Sequence, residues 1–186
     1  MAKNSRYISL ESLDGCRLCI GNYPCFIYNA TGGGGLASVS SSKDTNLKHL
    51  NFDVDEFSIP SLNWRTTKFL GLPLPPGLLI DMQMDKLEGM LNKHSGDISL
   101  NFEAKFFLKI WPNISFPALC VSTFLKTGVI TSKFQKFYGS PLDHTQNATL
   151  VGVALIPVTN NTLLNLFLDL PNESLACLKC QFKEVS

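Results

Sequence analysis

Residues 97–110, DISLNFEAKFFLKI, constrain the fold of this chain more than any other segment. Ile98, Leu100, Phe102, Ala104, Phe106, Leu108 and Ile110 take every second position. Ser99, Asn101, Glu103, Lys105, Phe107 and Lys109 fall between them. A period of two held throughout is the pattern of a strand, because helical geometry would scatter those apolar side chains around the axis. One apolar face and one mostly wet face predict an antiparallel sheet. The segment is also well beyond the common strand length of about six residues. Such length suits a barrel or a strongly curled sheet better than a compact sandwich.

The flanking sequence extends this reading. Residues 78–85 alternate, and 86–91 continue them, with Gly89 marking a bulge or bend. The turn-forming run Asn92-Lys93-His94-Ser95-Gly96 then leads into the long strand. Further strands are predicted at 118–126, 130–138, 149–158 and 175–183, and residues 163–170 suit either a strand or a short helix. In the N-terminal third the predicted strands are 17–20, 25–30, 36–40 and 47–54, interrupted by the glycine run 32–35. Residues 59–77 form a connection punctuated by Pro and Gly, too apolar for a solvated linker and so expected to pack on the body. No repeat or boundary divides the chain. The expectation is a single domain over residues 1–186, all-β and mainly antiparallel, built as one β-barrel or strongly curled sheet with few short helices.

Composition narrows the function classes. Hydrophobic residues make up 45% and charged residues 17% of the chain, which places it among folded proteins. A net charge of +1 provides no field for nucleic acid, so no nucleic-acid partner is expected. No apolar run reaches the roughly 18 residues of a membrane span. The N-terminal residues lack the apolar core of a signal peptide, so the expected location is cytoplasmic, or the plastid stroma in a chloroplast-bearing eukaryote. The five Asn-x-Ser/Thr sequons then carry little weight.

Several motifs invite a chemical reading. Cys16-x-x-Cys19 and Cys177-x-x-Cys180 have the spacing of a four-thiolate zinc site. Both pairs lie in strand-like sequence, where residues three apart point to opposite faces. Buried free thiols are therefore the expectation, with no metal, and zinc at Cys16, Cys19, Cys177 and Cys180 is the alternative. The glycine run lacks the Lys-Ser/Thr and the helix of a phosphate loop and reads as a close backbone approach. His49, His94 and His144 have no ligand spacing. Asp53, Asp55 and Glu56, like Asp81 and Asp85, read as solvated carboxylates. Trp64-Arg65 reads either as the mouth of a ligand site or as a plug at one end of a barrel, and Trp111-Pro112 admits the same two readings. No cofactor is implied.

Three segments, YNATGGGGLAS at 28–38, LNWRTTKFLGLPLPPG at 62–77 and LEGMLNKHSGDISLNFEAKF at 87–106, together resemble a group of small, uncharacterised proteins of cyanobacteria and chloroplast-bearing organisms. The resemblance covers most of the chain. It implies a source but no activity, and it transfers no functional residue.

The leading functional expectation is a non-enzymatic β-barrel that binds an apolar small molecule, such as a lipid or pigment, or assists a membrane-associated protein complex. Its candidate ligand-binding residues are Trp64, Arg65, Phe102 and Phe106. An isomerase or cyclase acting on an apolar substrate is the first alternative. A cavity containing Glu103, a His or an Arg with a shifted pKa would favour it, and one with only apolar walls would count against it. A pocketless interaction module is the second, and it predicts an exposed apolar patch on the connection 59–77 and a solidly filled core. The deciding question is what the inner face of the long strand points at.

Overall fold

The structure is a computed structural model that describes residues 7–41 and 46–185. The expectation of no leader concerns, in part, residues 1–6, which lie outside the described residues. In chain order the strands begin with β1 (Tyr7–Ser12), β2 (Cys16–Ile20), β3 (Phe26–Tyr28), β4 (Gly34–Ser41) and β5 (Leu47–Phe52). The short pair β6 (Thr67–Phe69) and β7 (Leu72–Pro73) precedes the two longest neighbours, β8 (Leu78–Asn92) and β9 (Ile98–Ile110). Then come β10 (Ile114–Ser115), β11 (Leu119–Lys126), β12 (Val129–Thr131), β13 (Lys136–Tyr138), β14 (Asn147–Ile156), the helix α1 (Thr162–Leu168) and β15 (Asn172–Val185).

The fold is all-β and antiparallel. Among the described residues, thirteen strands form one sheet, and eight of them follow one another in a ring, β1-β4-β5-β8-β9-β11-β14-β15, which β15 closes by pairing with β1. The long strand β9 is the centre of this curl, paired with β8 along its length and with β11 on its other edge. Its alternation is realised as read: Ile98, Leu100, Phe102, Ala104 and Phe106 are all buried on the inner face.

The ring forks, and the fork positions the site. The last third of β15 pairs with β1 and its first third pairs with β2 on the same edge. From β1 the sheet continues through β4 and β5 to the far end of β8. From β2 it continues through β3, β6 and β7, and Leu62 bridges onto β8 at Ile80. The lower half of the molecule is therefore walled by β1, β4 and β5, and the upper half by β2, β3 and β6. The glycine run lies at the fork. A Cβ on Gly34, whose φ is +135°, would lie 1.9 Å from the Leu10 carbonyl oxygen. Backbone thus passes against backbone there, and nothing about the loop resembles a phosphate cradle.

Three local readings change. β8 is one continuous strand, and its bulge lies between Met84 and Lys86, not at Gly89. The extra residue lets both Met84 and Leu87 face inward although an odd number of positions separates them. Residues 130–138 form not one strand but the β12–β13 hairpin, turned at Ser132, whose hydroxyl oxygen accepts from the backbone N–H of Phe134 and Gln135. Residues 163–170 resolve to the helix, capped by the Asn161 side chain accepting from the Leu164 N–H at 2.8 Å. The strand β1, whose Ile8, Leu10 and Ser12 alternate inward, has no counterpart among the predicted strands.

The lower half is filled. Leu50, Leu100, Leu150 and Phe182 meet there with no more than 2% of their surface exposed. Truncation in this region leaves a void that close-packed neighbours cannot collapse into. Leu150→Ala is expected to cost about 3–5 kcal/mol in urea unfolding. Met82→Ala in the upper half removes a side chain that already borders open space and is expected to cost about 1 kcal/mol.

The lower rim is charged. Glu184 accepts from Lys48 at 3.0 Å and also from Lys93. Hydrogen bonds from Lys93 and then Lys48 hold the Glu184 carboxyl down at about 2. A depressed carboxylate stabilises the fold above its unfolded pKa and loses that contribution as pH falls through the folded value. The carboxylate is largely solvated, so the contribution is small. Between about pH 5 and pH 2 the melting temperature of Glu184→Gln is expected to fall slightly less than that of the parent, measured by scanning calorimetry.

Candidate functional site

The upper half encloses a cavity of about 1000 Å3 that opens at the top of the ring. Its shape follows from the fork, because β2, β3 and β6 stand where a tighter wall would have continued β1, β4 and β5. One wall is made by inward residues of β8, β9 and β11: Ile80, Met82, Met84, Phe102, Phe106, Leu108, Leu119 and Val121. The opposite wall is Ala154 and Ile156 of β14, Ala176 and Leu178 of β15, Leu18 and Ile20 of β2, and Phe26 and Phe69. α1 covers part of the mouth with Leu164 and Leu168.

A seam runs up one side. β11 and β14 share a single register pair, Lys126 with Val151, and the ladder ends there. Above it the Thr123 hydroxyl donates to the Val153 carbonyl oxygen at 2.6 Å, a side-chain bond standing in for the missing backbone bonds. This is the most weakly paired junction of the ring.

The lining is almost wholly apolar. Among the described residues that border the cavity there is no Asp, Glu, His, Lys or Arg. The Thr123 and Ser174 hydroxyls donate to wall carbonyls and are satisfied without a ligand. Tyr28 on β3 also borders the cavity, at the level of the fork. Burial pushes its phenol pKa well up, with the nearby Cys16 and Cys177 thiols adding to the effect. At neutral pH it is a protonated donor in apolar surroundings.

Of the four residues singled out for ligand contact, the structure places Phe102 and Phe106 in the cavity wall. Trp64 and Arg65 lie outside it, in the turn leading into β6, where the guanidinium sits 4.9 Å from the Trp64 ring centre. They form neither a mouth nor a plug. The reason is local: the Asn63 side chain accepts from the backbone N–H of Arg65 and turns the chain so that both side chains leave the wall. Trp111 stands at the rim, 79% exposed. Glu103 points outward on β9, opposite Lys86. Asp81 and Asp85 are ion-paired on the outer wall with Lys109 at 2.7 Å and Lys105 at 3.0 Å. His49, His94 and His144 are exposed and belong to the lower half or its rim.

The cysteine reading needs correction. Cys19 is joined to Cys25 by a disulfide across the β2–β3 turn, so it can be neither a free thiol nor a zinc ligand. Cys16, Cys177 and Cys180 remain free, and burial pushes the Cys16 thiol up to about 11, opposite to what a metal thiolate or reactive thiol needs. No cluster of three or more His, Cys, Asp or Glu among the described residues is placed to hold a metal. The spacing that pairs Cys19 with Cys16 in sequence is overridden by the turn, which brings Cys25 back opposite. Thiol alkylation of the unfolded, unreduced protein is expected to label four of the six cysteines, and all six after reduction.

No protein-family model, curated protein or solved structure matches the chain. No helix among the described residues is long and apolar enough to cross a membrane.

Proposed function

We propose that this protein binds an apolar small molecule, of the lipid or pigment kind, inside the upper half of the ring. One observation supports this reading: a cavity of about 1000 Å3 with apolar walls, held in the same sheet whose lower half is filled to closure. A volume at the upper end of small-molecule sites takes an extended or multi-ring hydrocarbon skeleton. The drive for entry is removal of apolar surface from water, at about 25 cal/mol per Å2. The Tyr28 phenol is the donor best placed for a single oxygen on the ligand.

The lining gives no support to acid–base catalysis, which needs a titratable group that changes state near the working pH. The open volume likewise gives none to a pocketless interaction module. The role is therefore one of holding, carrying or presenting the molecule. The Cys19–Cys25 disulfide favours a compartment more oxidising than the cytoplasm expected from the N-terminal sequence.

The test is direct. Organic extraction of the purified protein, or titration of the emptied protein with a fluorescent fatty-acid or polyene probe, is expected to reveal one occupant per chain. Failure of both removes the proposal. Tyr28→Phe is expected to weaken a hydroxyl- or carbonyl-ended probe by about three- to tenfold and leave a pure hydrocarbon probe unchanged.

A further inference from the structure

The upper rim of the ring is assembled from segments without formal charge. The runs 18–42, 69–80, 110–125 and 145–168 contain no Asp, Glu, Lys or Arg. Topology brings part of each to the same end: the β2–β3 turn, the β6–β7 turn, the β9–β10 turn and α1. At their tips large apolar side chains stand in solvent. Leu70 is 70% exposed, Trp111 79% and Leu166 80%, with Ile114 and Phe167 beside them in sequence. The opposite end has the Lys48–Glu184 and Lys93–Glu184 ion pairs and the polar turn 93–96. The molecule is thus polarised along the axis of the ring.

We propose that this rim docks on the surface of a lipid bilayer, with Trp111, Ile114 and Leu166 entering the interface and the cavity mouth facing the membrane. Burying a charge-free rim incurs no charge desolvation, the term that keeps most protein surfaces out of lipid. An exposed Trp at a turn tip is the side chain best suited to the headgroup boundary, with an apolar body and one N–H donor. The β2–β3 turn and α1 touch through Tyr23 and Phe167, and with the β6–β7 and β9–β10 turns they stand around an opening. A rigid protein face laid across them would seal the cavity, whereas a fluid lipid surface fills between them and leaves the mouth in contact with an apolar phase. The charges nearest the rim, Lys68, Asp81, Lys109, Asp169 and Glu173, lie outside these runs and are at least partly exposed to water. The proposal goes beyond ligand binding and does not need an occupant in the cavity.

The two tryptophans make the test specific, because Trp64 lies in the turn ahead of β6, away from the β6–β7 tip. The full chain is mixed with phosphatidylcholine vesicles containing brominated phosphatidylcholine. Trp64→Phe, which keeps Trp111, is expected to lose fluorescence on vesicle addition. Trp111→Phe, which keeps Trp64, is expected to be quenched far less while still sedimenting with vesicles. Ile114→Glu with Leu166→Glu, both exposed and outside the cavity lining, is expected to lower co-sedimentation at least tenfold with unchanged melting temperature and unchanged probe occupancy. Binding is expected to be insensitive to salt. Absence of vesicle binding, equal quenching of the two tryptophans, a steep salt dependence, or a rim buried instead in a dimer of this chain would each overturn the proposal. Loss of probe occupancy with vesicle binding intact would overturn the cavity reading and leave this one standing.

Discussion

Filling the cavity with Val121→Phe, Ala154→Phe and Ala176→Phe is expected to reduce apolar-probe affinity tenfold or more while the protein keeps or raises its melting temperature. The three positions lie on β11, β14 and β15 and all border the cavity. Tenfold corresponds to about 1.4 kcal/mol, less than the transfer energy of the apolar surface the probe would fail to bury. In a closed core the same enlargements would overpack and destabilise by about 1–3 kcal/mol each. In open space each new ring buries area against the facing wall instead. Probe titration and thermal melting on the same sample separate the outcomes. A variant that unfolds would show the upper interior to be filled, and one that binds normally would place the ligand elsewhere.

Gly89→Val is expected to destabilise the protein by about 4 kcal/mol or more, enough that little folded protein is recovered. A Cβ at Gly89 would lie 2.0 Å from the Ser99 carbonyl oxygen and 2.7 Å from the Leu100 Cα. The obstacle is the backbone of the neighbouring strand, which cannot rotate away as a side chain would. The approach occurs where β8 and β9 coil tightly around the filled half, opposite Leu100, which is fully buried. Gly71→Ala is the control. It has a left-handed φ of +78° but nothing within 4 Å of the added methyl, so its cost is confined to backbone strain of about 1–2 kcal/mol. Circular dichroism and soluble yield distinguish the two. A Gly89→Val protein with parental stability would show that β8 and β9 do not approach as closely as described.

The longer strands, the antiparallel class and the inner face of β9 were legible in the chain because a period of two is a local property, whereas β1, β6, β7 and β10 were not. So was the apolar character of the site, since Phe102 and Phe106 belong to that face and both reach the cavity. The charge-free runs are a plain pattern in the sequence, but only the fold shows that they meet at one rim. Trp64 and Arg65 show the limit of reading residue type without direction. An aromatic beside a guanidinium suits a binding mouth, yet the turn made by Asn63 directs both away.

What only the tertiary structure decided is where the wall forks. Filled and open halves are built from the same alternation of Leu, Ile, Phe and Met, and a period of two states that a side chain faces inward without stating what faces it. That depends on which strand stands opposite, and here β15 pairs with β1 along one third and β2 along another. The fork divides one apolar interior into a packed core and a cavity of about 1000 Å3. The same non-local pairing draws four uncharged segments to one rim, whereas the Cys19–Cys25 disulfide is a local product of the β2–β3 turn. Local periodicity determined the sheet, and long-range strand pairing, which no short window of sequence encodes, determined the site.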